Sequence, residues 1–203
     1  SHQSFLSNFI HPSTPYRGLL IFHGTGTGKT GTAISIAENF KSMVLKYNTK
    51  IMILVPGPLL KENWKNEIIK FSSLNNDNTN QNLSIEEEQK NKNDKLKELM
   101  YFYKIMTHRK FYKKVLGEKI KDYVDEDEQV KKYRKTDEGD FERDVSTDKL
   151  ENLDNTILIV DEVHNFTGNE HGEALKMIIK KSKNLRLLLL SATPMKNLGT
   201  DIV

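Results

Sequence analysis

Five short runs of apolar residues punctuate this chain: GLLIF (18–22), IMILVP (51–56), YFYKIM (101–106), TILIVD (156–161) and LRLLLLSA (185–192). A strand with one wet face alternates apolar and polar residues, whereas an unbroken apolar strand has both faces covered. Segments long enough for helices separate the runs. Two of them, KTGTAISIAENFKSM and GEALKMIIKKS, space apolar residues three and four apart, the period of a single helix face. Buried strands alternating with such helices predict an α/β sandwich with a mainly parallel central sheet and helices on both faces. With 203 residues and 36% hydrophobic content, the chain can bury one sizeable core, so one domain is expected over 1–203.

Two stretches interrupt the alternation. NNDNTNQN (75–82) places five asparagines in eight residues, and a mobile loop is expected near 73–83. After it, SIEEEQKNKNDKLKELM reads as a charged helix with a capping-box-like Ser84 and Glu87. From Gly117 to Glu151, 21 of 35 residues are charged, 13 acidic and 8 basic, which predicts an exposed helix or a partly disordered insertion. Neither stretch is expected to add much to the core. The formal net charge of +3 divides into −5 in the insertion and +8 elsewhere. That excess suits a polyanionic partner, and scattered surface lysines give the same sum. There is no cysteine, which excludes disulfides and thiolate metal sites. No apolar stretch approaches the roughly 20 residues that span a bilayer, and SHQSFLSNFIHPSTPYRG lacks the basic start and apolar centre of a secretory signal. No membrane partner and an intracellular location are therefore expected.

The first apolar run ends in HGTGTGKT (23–30). Binding a phosphate at a strand-to-helix junction requires backbone N–H groups converging on an anion, and glycines reach the needed dihedrals without Cβ clashes. Gly24, Thr25, Gly26, Thr27, Gly28, Lys29, Thr30 and Gly31 are the candidate nucleotide-binding residues. A helix starting near Lys29 turns its positive dipole end toward the phosphates, Lys29 reaches the β and γ phosphates, and the Thr30 hydroxyl is placed to ligate Mg²⁺. The usual pattern is G-x-x-x-x-G-K-[ST]; here His23 occupies the first glycine's place.

A second group follows another apolar run, in NTILIVDEVHNF, where Asp161 and Glu162 leave the C-terminal end of a strand. Ligands of open α/β sheets bind there. Phosphoryl transfer mostly requires positioning and charge neutralisation, so Asp161 is a candidate to hold Mg²⁺ through its water shell and Glu162 to polarise the attacking water. Adjacent carboxylates leaving a strand point in different directions, which allows both roles at once. In LLLLSATPM, Ser191 and Thr193 follow a third buried strand, placed to hydrogen-bond the carboxylates or His164 and to report the state of the γ phosphate.

The P-loop, DEVH and SAT, in this order, resemble motifs I, II and III of superfamily 2 helicases and translocases of the DExH group. ILVPGPLLKENWKNEI (53–68) resembles motif Ia, which contacts the nucleic-acid backbone, and YKIMTHRKF (103–111) resembles motif Ib; helix packing also accounts for Trp64 and Leu60. FLSNFIHPSTPYRGLLIFHGTGTGKT is similar to the ATPases of nucleocytoplasmic large DNA viruses, the poxvirus early transcription factor and nucleoside triphosphatase among them. The resemblance implies a RecA-like lobe that uses ATP and Mg²⁺, with Lys29, Asp161 and Glu162 catalytic. It implies nucleic acid as a partner, DNA favoured over RNA, and viral RNA polymerase or transcription factors as further partners. The implied location is the viral factory of the host cytoplasm, or the virion. Gln3 stands near where the superfamily places an adenine-reading glutamine, and an ordinary surface residue is the other reading.

This family works with two lobes, the second bringing motifs IV to VI and an arginine that stabilises the transition state. The chain stops after motif III, so it is expected to be the first lobe of a longer protein, weakly active or inactive alone. A motor lobe moving on nucleic acid is the leading functional expectation. An ATP-responsive scaffold or switch subunit of a transcription complex is the alternative. A P-loop kinase is disfavoured, since kinases lack the paired DEVH and SAT elements.

Overall fold

The computed structural model describes residues 10–22, 28–72, 85–117, 134–135, 141–142 and 149–192. In chain order the elements are β1 (Gly18–Phe22), α1 (Lys29–Glu38), α2 (Lys41–Tyr47), β2 (Ile51–Val55), α3 (Pro58–Phe71), α4 (Ile85–Leu99), β3 (Tyr103–Thr107) and α5 (His108–Leu116). Then come β4 (Arg134–Lys135), β5 (Phe141–Glu142), β6 (Ile157–Val160), a 3₁₀ turn (Val163–Phe166), α6 (Glu170–Lys181) and β7 (Arg186–Ser191). All five apolar runs become strands of one sheet, in the order β1-β7-β6-β2-β3. Every neighbouring pair in it is parallel.

Alternate residues of each strand face opposite helix layers. On β2, Ile51, Ile53 and Val55 join one apolar cluster with Ile34, Ile36, Trp64 and Ile68. Met52 and Leu54 join the other, with Phe111, Val115, Leu175 and Ile178. Helices α1 to α3 cover the first face, and α5 and α6 the second. Each fully buried Ile, Leu or Phe adds roughly 1.5–3 kcal/mol. The continuous apolar pattern thus follows from double coverage for β2 and β6, whose residues are all buried. It does not hold for β1. At the sheet edge, Leu20 and Phe22 are 44% and 50% exposed among the described residues: Leu20 pairs with Leu189 of the second cluster, yet neither Leu20 nor Phe22 joins that cluster.

The helix expected over KTGTAISIAENFKSM divides into α1 and α2. Asn39 and Phe40 donate to the carbonyls of Ile36 and Ala37, three residues back, so the α-helical ladder tightens and stops before restarting with Val44 N–H on Phe40 O at 3.0 Å. Local chemistry accounts for the other ends. Pro58 begins α3, and Thr107 caps α5 by accepting from Lys110 N–H. Asn169 caps α6 through Gly172 N–H, with Glu170 and Glu173 in the first turn and Lys180 and Lys181 in the last. The charged helix forms as α4, and among its described side chains Leu99 is buried against the α1 to α3 face. Ser84, the asparagine-rich stretch and the Glu87 side chain lie outside what the structure describes. In the charged insertion residues 134–135 and 141–142 form the antiparallel pair β4–β5, and 118–133, 136–140 and 143–148 lie outside the described residues.

The segment before β1 is tied to β7. Arg186 Nη2 donates to Thr14 O at 3.2 Å, Leu187 N–H to Arg17 O at 2.8 Å, and Ile10 is fully buried. Among the described residues, no helix is long and apolar enough to cross a membrane.

Candidate functional site

In a parallel sheet all strands end on the same edge, and the register determines which residues meet there. Phe22 pairs with Ser191, Val160 with Leu189 and Leu54 with Val160. The start of α1, the residues after β6 and the end of β7 therefore converge, although they lie far apart in sequence. Gly24, Thr25, Gly26, Thr27, His23, Gln3 and Thr193 lie outside the described residues. Gly28, Lys29, Thr30, Gly31, Asp161, Glu162, His164 and Ser191 are described.

Gly28 is the N-cap of α1 with φ 80°, a left-handed conformation costing about 1–2 kcal/mol for a residue with a Cβ. Its side chain cannot cap the helix, so the first backbone N–H groups of α1 stay directed out of the helix end, where an anion is favoured. Lys29 and Thr30 follow, both half-buried. Gly31 is buried beneath Phe71.

Asp161 is fixed at both main chain and side chain. Its N–H donates to Leu54 O at 2.9 Å, and its carbonyl accepts from His108 Nε2 at 2.9 Å, which sets the His108 tautomer because a carbonyl only accepts. Its Oδ1 accepts from Glu162 N–H at 3.0 Å and its Oδ2 from Trp64 Nε1 at 2.9 Å. Burial pushes the Asp161 carboxyl above the usual range; the Trp64 bond opposes this, the Glu162 charge adds to it, and the Glu162 N–H and the Lys29 charge pull it down. Lys29 thus acts electrostatically on Asp161 across the site. His108 is buried beneath Asp161, against Phe166 with ring centroids 4.6 Å apart. Its pKa is lowered to about 4, chiefly by burial and then by the His171 charge, with a smaller push from His164, against the Asp161 and Leu54 carbonyls, which favour the protonated ring.

Glu162 has φ 48° and ψ 52°, an uncommon conformation for a residue with a side chain. Glu162 Oε2 lies 3.3 Å from His164 Nδ1, and the same nitrogen lies 3.3 Å from Ser191 Oγ. Only the contact with Ser191 meets hydrogen-bond geometry, so Glu162 Oε2 is buried without a hydrogen-bond partner among the described residues. A buried carboxylate oxygen in that position is suited to accept a hydrogen bond from a ligand or water. The site thus holds a helix N-terminus with an adjacent Lys, an anchored carboxylate, and a second carboxylate beside a His–Ser pair.

Two residues of this constellation were not singled out as functional by sequence reasoning. Trp64 stands in the stretch that resembles motif Ia, with helix packing as the other reading; it packs, and it also bonds Asp161. His108 lies within the stretch that resembles motif Ib, but its bond to Asp161 has no trace in the sequence, because it depends on the ends of β3 and β6 lying on one edge of the sheet. For Trp64 a signal existed, since a buried indole N–H needs an acceptor.

Beyond this cluster, Gly57 to Leu60 turn at the end of β2 with Leu59 84% exposed, and α5 presents Arg109, Lys110, Lys113 and Lys114 near the end of β3.

The type III restriction enzyme res subunit family matches residues 3–196 of the chain. A protein of Acanthamoeba polyphaga mimivirus, whose given name proposes an ATP-dependent RNA helicase, is 56% identical over 206 residues, covering 99% of this chain and 18% of that protein. A second mimivirus protein with the same kind of name is 35% identical, over 98% of this chain and 30% of its own length. The early transcription factor 70 kDa subunit of Melanoplus sanguinipes entomopoxvirus is 28% identical over 89% of this chain and 20% of its own. The chain therefore spans less than a third of these relatives. Among solved structures, the Pyrococcus furiosus Hef helicase domain superposes with a TM-score of 0.52 at 18% identity, over 99% of this chain and 34% of that one. At that identity the likeness concerns the fold, which is the helicase-type α/β sandwich.

Proposed function

The chain belongs to the family of type III restriction enzyme res subunits, and on that premise we propose that it is the ATP-binding lobe of a nucleic-acid-dependent ATPase of helicase or translocase type. One observation carries the reading: Lys29, Asp161, Glu162, His164 and Ser191 meet on one sheet edge, where α1 begins at a left-handed glycine. In this role the backbone N–H groups after Gly28 and the Lys29 ammonium hold the phosphates. Glu162, whose Oε2 is buried with no hydrogen-bond partner among the described residues, orients and deprotonates the attacking water. His164 and Ser191 link that carboxylate to the end of β7.

The residues fit Mg²⁺ as the accompanying ion. Mg²⁺ takes most of its octahedral shell from phosphates and water, needing only one or two protein oxygens. The Asp161 carboxylate, held by the Trp64 indole and the Glu162 N–H, offers such an oxygen at the edge where α1 begins. Thr30 and Asp161 are the residues that would hold it. The ion neutralises charge on the phosphates.

The track is a polynucleotide. The exposed turn at Leu59 and the basic face of α5 support contact with a phosphate backbone. We favour DNA on the resemblance to DNA-virus transcription ATPases; the mimivirus relatives carry RNA helicase names. The early transcription factor relative supports action in viral transcription, beside polymerase or transcription factors, in the cytoplasmic factory or the virion. A lobe of this kind alone is expected to bind ATP weakly and turn it over slowly. ATP hydrolysis by the longer protein, measured without polynucleotide and with duplex DNA, single-stranded DNA or RNA, tests the reading. Stimulation is expected, largest with DNA; an unstimulated rate with all three would support a switch subunit instead.

A further inference from the structure

Trp64 is the chain's single tryptophan. It is 2% exposed, within the apolar layer between α3 and the sheet. Packing explains the ring's position but not the aim of its polar edge. A buried indole N–H must find an acceptor, and a nearby backbone carbonyl would suffice. Instead it donates to Asp161 Oδ2, 97 residues further along the chain.

The consequence falls on the carboxylate. An ionised Asp has about four lone-pair sites on its two oxygens. The Glu162 N–H occupies one on Oδ1, and the Trp64 indole occupies one on Oδ2. With the Asp161 main chain also held by Leu54 and His108, the side chain has little rotational freedom. Among the described residues no other donor reaches the carboxylate, so one lone pair on each oxygen remains, with its direction determined by the two donors. The helix that carries Trp64 is itself anchored, since its last residue, Phe71, packs on Gly31 in the first turn of α1. Helix α3 therefore touches both the phosphate-holding helix and the carboxylate.

We propose that Trp64 is a positioning residue of the nucleotide site, its indole N–H holding the Asp161 carboxylate in the orientation that receives hydrated Mg²⁺ beside a bound nucleotide. The inference rests on the nucleotide-site reading above and adds the residue that aims its acidic group.

The test uses this chain, with ADP and Mg²⁺ as probes and calorimetry to measure binding. Because Trp64 is the sole tryptophan, indole emission reports on its surroundings alone. Emission should change when Mg²⁺ is added to chain already saturated with ADP, and should change little on adding ADP in the presence of a chelator. Trp64→Phe keeps an aromatic ring and deletes the N–H. It should melt cooperatively, bind metal-free ADP as wild type does, and need about tenfold more Mg²⁺ for half-saturation, the scale of one hydrogen bond to a charged group. If ADP and Mg²⁺ bind while emission stays constant, Trp64 only packs and the proposal is overturned, whether or not Trp64→Phe folds. An Mg²⁺ requirement in folded Trp64→Phe equal to that of wild type overturns it as well. Because the lobe alone is expected to bind weakly, the titration extends to millimolar ADP, and failure of wild-type chain to bind even there overturns the nucleotide-site reading itself, and this proposal with it.

Discussion

The ring of Phe71, the last residue of α3, stands against Gly31 in the first turn of α1, so that a Cβ built on Gly31 would lie 2.8 Å from Phe71 Cζ. A close-packed interior does not yield that space without moving a ring or a helix. Gly31→Ala is therefore expected to destabilise the chain by about 1–3 kcal/mol, the usual scale of overpacking. Combining it with Phe71→Leu should recover part of the loss, because the branched chain is shorter than the ring. Urea melts of the two single variants and the double variant measure the coupling; strictly additive losses would show that the two residues do not share the contact.

Lys29 follows Gly28 at the start of α1 and acts on the charge of Asp161. Lys29→Ala removes a cation expected to bond phosphate oxygens, an interaction worth about 1.5–3 kcal/mol when one partner is charged. Nucleotide affinity should fall by about 10- to 100-fold with little change in thermal stability. Calorimetric titration with ADP decides the matter, and wild-type affinity in the variant would remove Lys29 from the site.

Glu162→Gln is nearly isosteric and leaves the contacts around Asp161 in place. The amide cannot take a proton from water, so the ATPase rate of the longer protein should drop by about 10²–10⁴-fold while nucleotide binding is kept. A variant that hydrolyses ATP at the normal rate would mean that Glu162 is not the base.

Tyr103 on β3 donates its hydroxyl to Glu38 Oε1 at 2.6 Å, and Glu38 also pairs with Lys41 at 2.7 Å. Burial, then the Glu38 charge, then the hydrogen bond itself raise the Tyr103 pKa well above the usual phenol value near 10. The contribution to stability is full below pH 10, where folded and unfolded chains both keep the proton. Above pH 10 the unfolded chain releases it while the folded chain does not, so stability falls as pH rises. Tyr103→Phe lacks this titration and should lose stability less steeply above pH 10. Denaturant melts of both proteins between neutral and strongly alkaline pH check it, and parallel curves would contradict the assignment.

Much of the fold was legible in the sequence because it rests on local chemistry. Unbroken apolar runs mark strands covered on both sides, three-and-four spacing marks helices, and glycines before Lys29 mark a strand-to-helix junction. The exceptions arise where tertiary neighbours decide. Leu20 and Phe22 read like the residues of a central strand, yet β1 lies at the sheet edge. Leu99 belongs to a charged helix, yet it reaches the core.

The sequence by itself determined which residue types stand at strand ends and helix starts, since those depend on dihedral preference and periodicity within a few residues. Only the tertiary structure decided their partners. The strand order and register put Ser191 beside His164, His108 beneath Asp161, and Trp64 on its carboxylate. Partners tens of residues apart leave no periodic trace, because a hydrogen bond is specified by position in space and the chain between its ends is free to vary. The same reason explains why Trp64 reads as a core residue until its indole N–H is seen to need an acceptor.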